Sequence, residues 1–436
     1  MDSNIYPQVI RDFLPDSNAP EWWESARKKA WERYQSSPMP TMKNEQWRFT
    51  DIRKINLESY CLDVPFSNED VSRCLRFIEE LSLPYLAAAR LVFLNDRLID
   101  YTRSVGSQGL ICMPLSEAIK ERPDLVQSSF EDDRASLGSQ KFLYLQQAQG
   151  KSGAVVIFPR GLILEEPIEI HHFLTEDYAS CFPRLLVIAE EQSQGEIVEF
   201  CHGLSRDQGG LCVGRSELIL KPGANLRLIR TQNWGEKAQS YYVNASLLER
   251  DAALVTFILN LGSAYARTES KSRLVGSGAR SDMLSLSVAH GVQEYDQRTY
   301  QDHIAAHTTS DLLYKNALCD GSRTIFSGMI RVEPEAQHTD AYQSNRNLLL
   351  SEEAEANSLP GLEIQANEVR CTHGATTGQI DPEQLFYLLS RGLSLKVARK
   401  LFIFGFFQDV FDRVGDPKLV GFLTQMIEDK LKSDID

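Results

Sequence analysis

A recurrence of turn residues at an almost constant interval constrains the fold of this chain more than any other feature. Gly195, Gly223, Asp251 and Gly278 each stand between two short apolar runs, at spacings of 28, 28 and 27 residues. The run from Glu217 to Leu228 and the run from Ser246 to Phe257 have the same form: strand, tight turn, strand. One such unit cannot bury its own apolar face, so it must stack on its neighbours. Strands at this period, without helical patterning, predict a mainly β chain built on a parallel β-helix, ahead of a two-sheet sandwich. After Ser310 the turn spacing loosens, and there the sandwich stays open as an alternative.

The flanks read differently. Residues 1–150 form a mainly helical region, 151–380 the β-helix core, and 381–436 a second helical region. Pro20 followed by Glu21 and Glu24 suits a helix start. Trp23, Ala26, Ala30 and Tyr34 then share one face, as a core stripe does. Ala89 to Leu98 reads as strand, turn and strand, with Asn95-Asp96 at the turn. Asp381 is a good N-cap, Pro382 suits the first helical position, and Gln384 has capping-box spacing. Gly392 ends that helix and Ser394 opens the next. In it Val397, Leu401, Phe404, Phe407 and Phe411 recur at helical spacing as far as about Val414, and a last amphipathic helix runs from Leu419 to about Leu431. Phe402, Phe404, Phe406 and Phe407 surround nearly the whole middle helix, so either it is buried on all sides or one face docks a partner.

Composition removes several classes of function. A formal net charge of −14 over 436 residues argues against nucleic acid or an anionic membrane as partner. The stretch Met1-Asp2-Ser3-Asn4-Ile5 has neither a basic nor an apolar segment of a secretory signal. The most apolar run, Leu401 to Phe407, is far short of the roughly 20 residues that a bilayer takes. Eight cysteines stand at 61, 74, 112, 181, 201, 212, 319 and 371 with no C-x-x-C among them, which speaks for reduced, packed thiols in a cytoplasmic protein.

Several motifs are decoys. Gly150-Lys151-Ser152 looks like the tail of a P-loop, but the first glycine of that motif would fall at Leu145, and a polar helical segment precedes it. His303 and His307 would lie roughly 13 Å apart on a strand, too far to share an ion. Cys201 and His202 are adjacent, so a strand turns them to opposite faces. Glu333 and Glu335 could be a glycosidase pair, which matters because many β-helices cleave polysaccharides.

Cys371 and His373 are different: two residues apart on a strand, a thiol and an imidazole project from one face, and both suit soft metals and iron–sulfur chemistry. The run that follows, Gly378 to Leu393 (GQIDPEQLFYLLSRGL), resembles the closing signature of the SufD family of the SUF iron–sulfur cluster assembly system. The resemblance extends through Asp320 to Gly328, Ala336 to Gln343, Asn347 to Ser351 and Leu359 to Ile364, with an early anchor from Asn44 to Asp51. It implies a right-handed β-helix fold and a non-catalytic scaffold that pairs with a SufB-like subunit through the β-helix. It also implies recruitment of a SufC-like ATPase through the C-terminal helices, on a face that includes Phe386, Tyr387, Arg391, Phe404 and Phe407. No P-loop is present in the chain, so ATP hydrolysis would be supplied in trans.

By the same resemblance, Cys371 and His373 are donors to iron or to a nascent cluster at the SufB–SufD seam. A donor pair cannot complete a cluster whose irons commonly take four protein ligands. The other ligands must come from a second chain, or the site is transient, and no tightly bound cluster is expected in the isolated chain. When the partner is absent, a homodimer is one form open to the isolated chain, and the sequence does not decide between it and the heterocomplex. Two rival expectations remain: a SufB-type scaffold, although SufB-like chains carry Glu-His-Glu and extra cysteines here, and a polysaccharide-active β-helix enzyme.

Overall fold

The computed structural model describes residues 8–81, 83, 85–104, 109–130 and 137–434. Consecutive strands of the chain do not pair with each other. Asn225–Asn233 lies parallel to Gln194–Gly203 on one side and to Ala253–Asn260 on the other, while Gln239–Leu248 pairs with Leu211–Leu220 and Tyr265–Leu274. Alternate strands thus build two ten-stranded sheets, and each coil stacks on the one before. This is a parallel β-solenoid, and the sandwich alternative falls on the pairing alone. Past Ser310 the strands Thr309–Leu318, Arg323–Val332, Asp340–Leu349, Glu355–Ile364 and Arg370–Gln379 are all ten residues long. Only the turns between them vary, which explains the loosened sequence period.

Three of the four turn residues do what the sequence asked of them. Gly223, Asp251 and Gly278 have φ of 71°, 57° and 79°, the left-handed region that a tight corner needs. Gly195 is a correction: it lies inside strand Gln194–Gly203, and its Cβ would meet the Phe158 ring at 2.2 Å. Close packing, not turn geometry, demands that glycine.

Alternation splits each strand between lumen and outer face. Near the N-terminal end the lumen is apolar, with Leu226, Leu228, Leu254 and Leu274 in one buried cluster. The outer face of one sheet carries Val198, Phe200, Phe257 and Leu259, covered by helices Leu395–Val414 and Pro417–Asp434. The first begins as expected, with Ser394 capping it through the N–H of Val397, and Gly415 at φ 77° ends it; the second starts at Pro417, two residues before the expected Leu419. The preceding helix, Pro382–Ser390, takes its cap from Asp381, which accepts from the N–H of Glu383.

The first 150 residues contain the expected helix Glu21–Ser36, whose Trp23 and Ala30 are buried. They also feed the solenoid directly. Ala89–Leu94 pairs in parallel with Ile168–Leu174 and in antiparallel with Arg97–Arg103, across a turn at Asn95 (φ 47°) and Asp96 (φ 65°). No helix among the described residues is long and apolar enough to cross a membrane.

Candidate functional site at the last coil

The final strand, Arg370–Gln379, ends one sheet, and Glu355–Ile364 ends the other. Each is paired on one side only, to Asp340–Leu349 and Arg323–Val332 respectively. Two ten-residue rows of backbone donors and acceptors therefore face outward, the kind of edge that proteins normally cover or pair. Most side chains of these two strands are exposed, because no further coil lies over them.

Cys371 and His373 sit on this unfinished coil. Their register partners are Ala341 and Gln343. Ala341 is buried with Ile330, Val332 and Ala336, and Cys371 packs partly against that cluster, so the pair faces the lumen side at the open end. Cys371 is half-buried and His373 is exposed. Burial, reinforced by the Asp340 carboxylate, raises the Cys371 thiol above its ordinary pKa, although the backbone amide of Ala341 opposes the rise. The thiol is therefore neutral near pH 7 and gives up a proton only to a metal or a base. Among the described residues no three His, Cys, Asp or Glu side chains come together as a metal site, so the pair receives no third ligand there.

A line of side-chain amides adds to the backbone ladder that sets the register of this coil. Gln297 donates to Asn316 Oδ1 (3.2 Å), Asn316 to Asn347 Oδ1 (2.8 Å), and Asn347 to Thr377 Oγ1 (3.2 Å) on the final strand. Deeper in the lumen, Arg230 is paired with Glu199, which also accepts from Tyr242 (2.8 Å) and lies 3.3 Å from His172. Burial opposes ionisation of Glu199, but the Arg230 guanidinium prevails and brings its pKa down to about 2. Sequence reading missed this node; the signal for it was charged residues at inward positions of otherwise apolar strands.

The structure divides the expected docking residues. Phe386 is 72% and Tyr387 55% exposed, and the Arg391 guanidinium lies 5.1 Å from the Tyr387 ring centroid. Phe404 is partly buried against the helix–sheet core. Phe407 is fully buried there, so it is corrected from a docking residue to a core residue. Val397 and Leu401 go the other way, to the surface, at 43% and 51% exposed. The buried stripe of that helix is Ala398, Ile403, Phe407, Val410, Phe411 and Val414.

The decoys resolve on geometry. Gly150-Lys151-Ser152 follows helix Gln140–Gln149 and enters strand Gly153–Phe158, the reverse of a P-loop, and Ser152 bonds Asp96. His303 ends a strand, bonded to Thr308 and Ser310, whereas His307 is in the turn at φ 59°, stacked on His338; the expectation of one strand for both is corrected. Glu333 is paired with Arg331 (2.8 Å). Among the described residues no cysteine is joined in a disulfide.

With the solenoid and its open donor pair in hand, comparison with known proteins is decisive. Residues 172–406 match the family model described as SUF system FeS cluster assembly, SufBD core domain, and residues 9–170 match the SufBD protein N-terminal region. The chain belongs to the SufBD family of iron–sulfur cluster assembly proteins. The iron–sulfur cluster assembly protein SufD of Bacillus subtilis is 24% identical over 98% of both chains. SufD of Escherichia coli is 26% identical over 87% of this chain and 86% of its own length. SufB of B. subtilis is 23% identical over 93% and 89%. Membership in the SufBD family leaves the polysaccharide-cleaving expectation without support, and these identities do not separate SufD from SufB.

Proposed function

We propose that this SufBD-family chain is a SufD-type scaffold subunit, which offers Cys371 and His373 to iron or a nascent cluster where a SufB-like solenoid closes the last coil. The cluster is cargo: it forms on ligands from two chains and leaves. The observation that carries this reading is the uncovered final coil, whose unpaired edges flank a thiol and an imidazole on one strand. Phe386, Tyr387 and Arg391, with Leu395, Val397 and Leu401 nearby, supply the apolar face for a SufC-like ATPase. The chain itself acts by holding ligands and partners and performs no catalysis.

The test is anaerobic co-expression with SUF partners, comparing the natural chain with His373→Ala and Cys371→Ser. We expect the complex to assemble while its iron and sulfide content drops. Unchanged iron and sulfide in both variants would overturn the reading, and loss of assembly would assign the pair to packing. The 23% identity to SufB of B. subtilis, about equal to the 24% to its SufD, favours a second reading, a SufB-type scaffold. That role predicts a stable visible chromophore when the isolated chain is reconstituted with iron and sulfide; the SufD-type role predicts none.

A further inference from the structure

One corner of the solenoid carries imidazoles where the coil before them has glycine. Successive coils turn there at Gly278, His307 and His338, with φ of 79°, 59° and 60°. The backbone stacks the three in order. Gly278 N–H donates to the carbonyl of His307 (3.2 Å), His307 N–H to that of Gln337 (2.9 Å), and His338 N–H to that of Glu368 (2.6 Å). Gly278 enters the left-handed region freely, whereas a β-carbon opposes it. The two histidines therefore hold this corner at a conformational cost, and neither ring is buried in return. Strain kept at an exposed pair of ligating side chains points to function.

The side chains continue the stack. The His307 and His338 rings lie 4.7 Å apart between centroids and within 21° of parallel. His338 Nε2 is 3.5 Å from Glu368 Oε2. An ionised carboxylate only accepts, so it favours the tautomer with the proton on Nε2 and leaves the lone pair on Nδ1 of His338. A carboxylate behind an imidazole is the arrangement that orients a metal-ligating histidine and raises its basicity. Both rings are at the surface, and turning about their side-chain bonds can bring one nitrogen of each onto a common ion at the usual distance of about 2 Å. Beside the pair, His338, Asp340, Glu368 and Arg370 line an open cleft of 380 Å³, where the two carboxylates outweigh the one guanidinium.

We propose that His307 and His338 bind one borderline divalent cation of the zinc class, with Glu368 orienting His338 and water filling the remaining positions. Two protein donors agree with the absence, among the described residues, of a metal site built from three His, Cys, Asp or Glu side chains. Imidazole donors select zinc, copper or nickel over calcium and magnesium, which take oxygen. The site uses neither Cys371 nor His373 and stands whether or not those two receive a cluster.

The test uses the full-length chain carrying Cys371→Ser and His373→Ala, so that metal held at the last coil is not counted here. Calorimetry should show a site for one Zn²⁺ per chain and none for Ca²⁺. Zn²⁺ should also protect His307 and His338 together from acylation by diethyl pyrocarbonate, mapped by mass spectrometry. Asparagine tolerates the left-handed region, so His307→Asn and His338→Asn should each keep the fold by circular dichroism, remove the Zn²⁺ site and leave the remaining histidine unprotected. Glu368→Gln should weaken Zn²⁺ about tenfold. No saturable Zn²⁺ binding, protection of only one of the two histidines, or undiminished Zn²⁺ affinity in folded His307→Asn, His338→Asn or Glu368→Gln would overturn the proposal.

Discussion

At Cys371 the reactivity is set by protonation. Its raised pKa keeps the thiol neutral at physiological pH, so alkylation should be slow at pH 7 and accelerate by about tenfold per pH unit towards pH 9. Iodoacetamide labelling mapped by mass spectrometry should find Cys371 and Cys61, the two partly exposed thiols, and spare the six buried ones in the folded chain. His303 gives a second test, on stability. Burial lowers its pKa from 6.5 to about 4, so between those values the unfolded chain takes up a proton that the folded chain refuses. Its contribution is therefore complete above pH 6.5 and lost as pH falls towards 4, by roughly 3 kcal/mol in all. Buried His171 and His202 are also held down by burial and act in the same direction. Urea unfolding between pH 7 and 4.5 should show a shallower loss for His303→Gln than for the natural chain. An unchanged slope would mean that His303 titrates normally.

Among the elements, the helix Leu395–Val414 shows how one apolar segment serves two purposes. Its middle and end pack on the sheet through Ile403, Phe407, Val410 and Val414, while Leu395, Val397 and Leu401 remain exposed, as do Phe386 and Tyr387 on the preceding helix. Truncation should separate the two uses. Phe407→Ala removes a fully buried ring and should cost about 3–5 kcal/mol in urea unfolding. Phe386→Ala and Tyr387→Ala should stay within about 0.5 kcal/mol of the natural chain, yet lose retention of the ATPase in a pull-down. Retention by the double variant Phe386→Ala/Tyr387→Ala would remove this face from the docking model. The periodic aromatics made the helix legible in the sequence. Which of them meet the sheet was not, because a ring of phenylalanines around a helix gives no phase until a neighbour is placed.

For the molecule as a whole, the consequence of stacking is an end. Each coil satisfies the edge of the one before, and the last leaves two strands paired on one side only. Hydrogen exchange should therefore find outward-facing amides of Arg370–Gln379 and Glu355–Ile364 exchanging far faster than those of Gln239–Leu248 in the isolated chain. Both should become protected once a second solenoid is bound. The same exchange pattern with and without the partner would show that association uses another surface.

Local chemistry by itself determined the solenoid, its helical ends, the Asn95-Asp96 turn and the pairing of Cys371 with His373 on one strand, because period, turn residues and caps act within a few residues of one another. Tertiary structure decided what those elements face. It put Gly195 inside a strand against Phe158, sent Phe407 inward and Val397 outward, and stacked His307 on His338 beside Glu368 at one corner of successive coils. Burial and orientation belong to contacts between residues distant in sequence, and alternation along a strand names two faces without saying what will cover either.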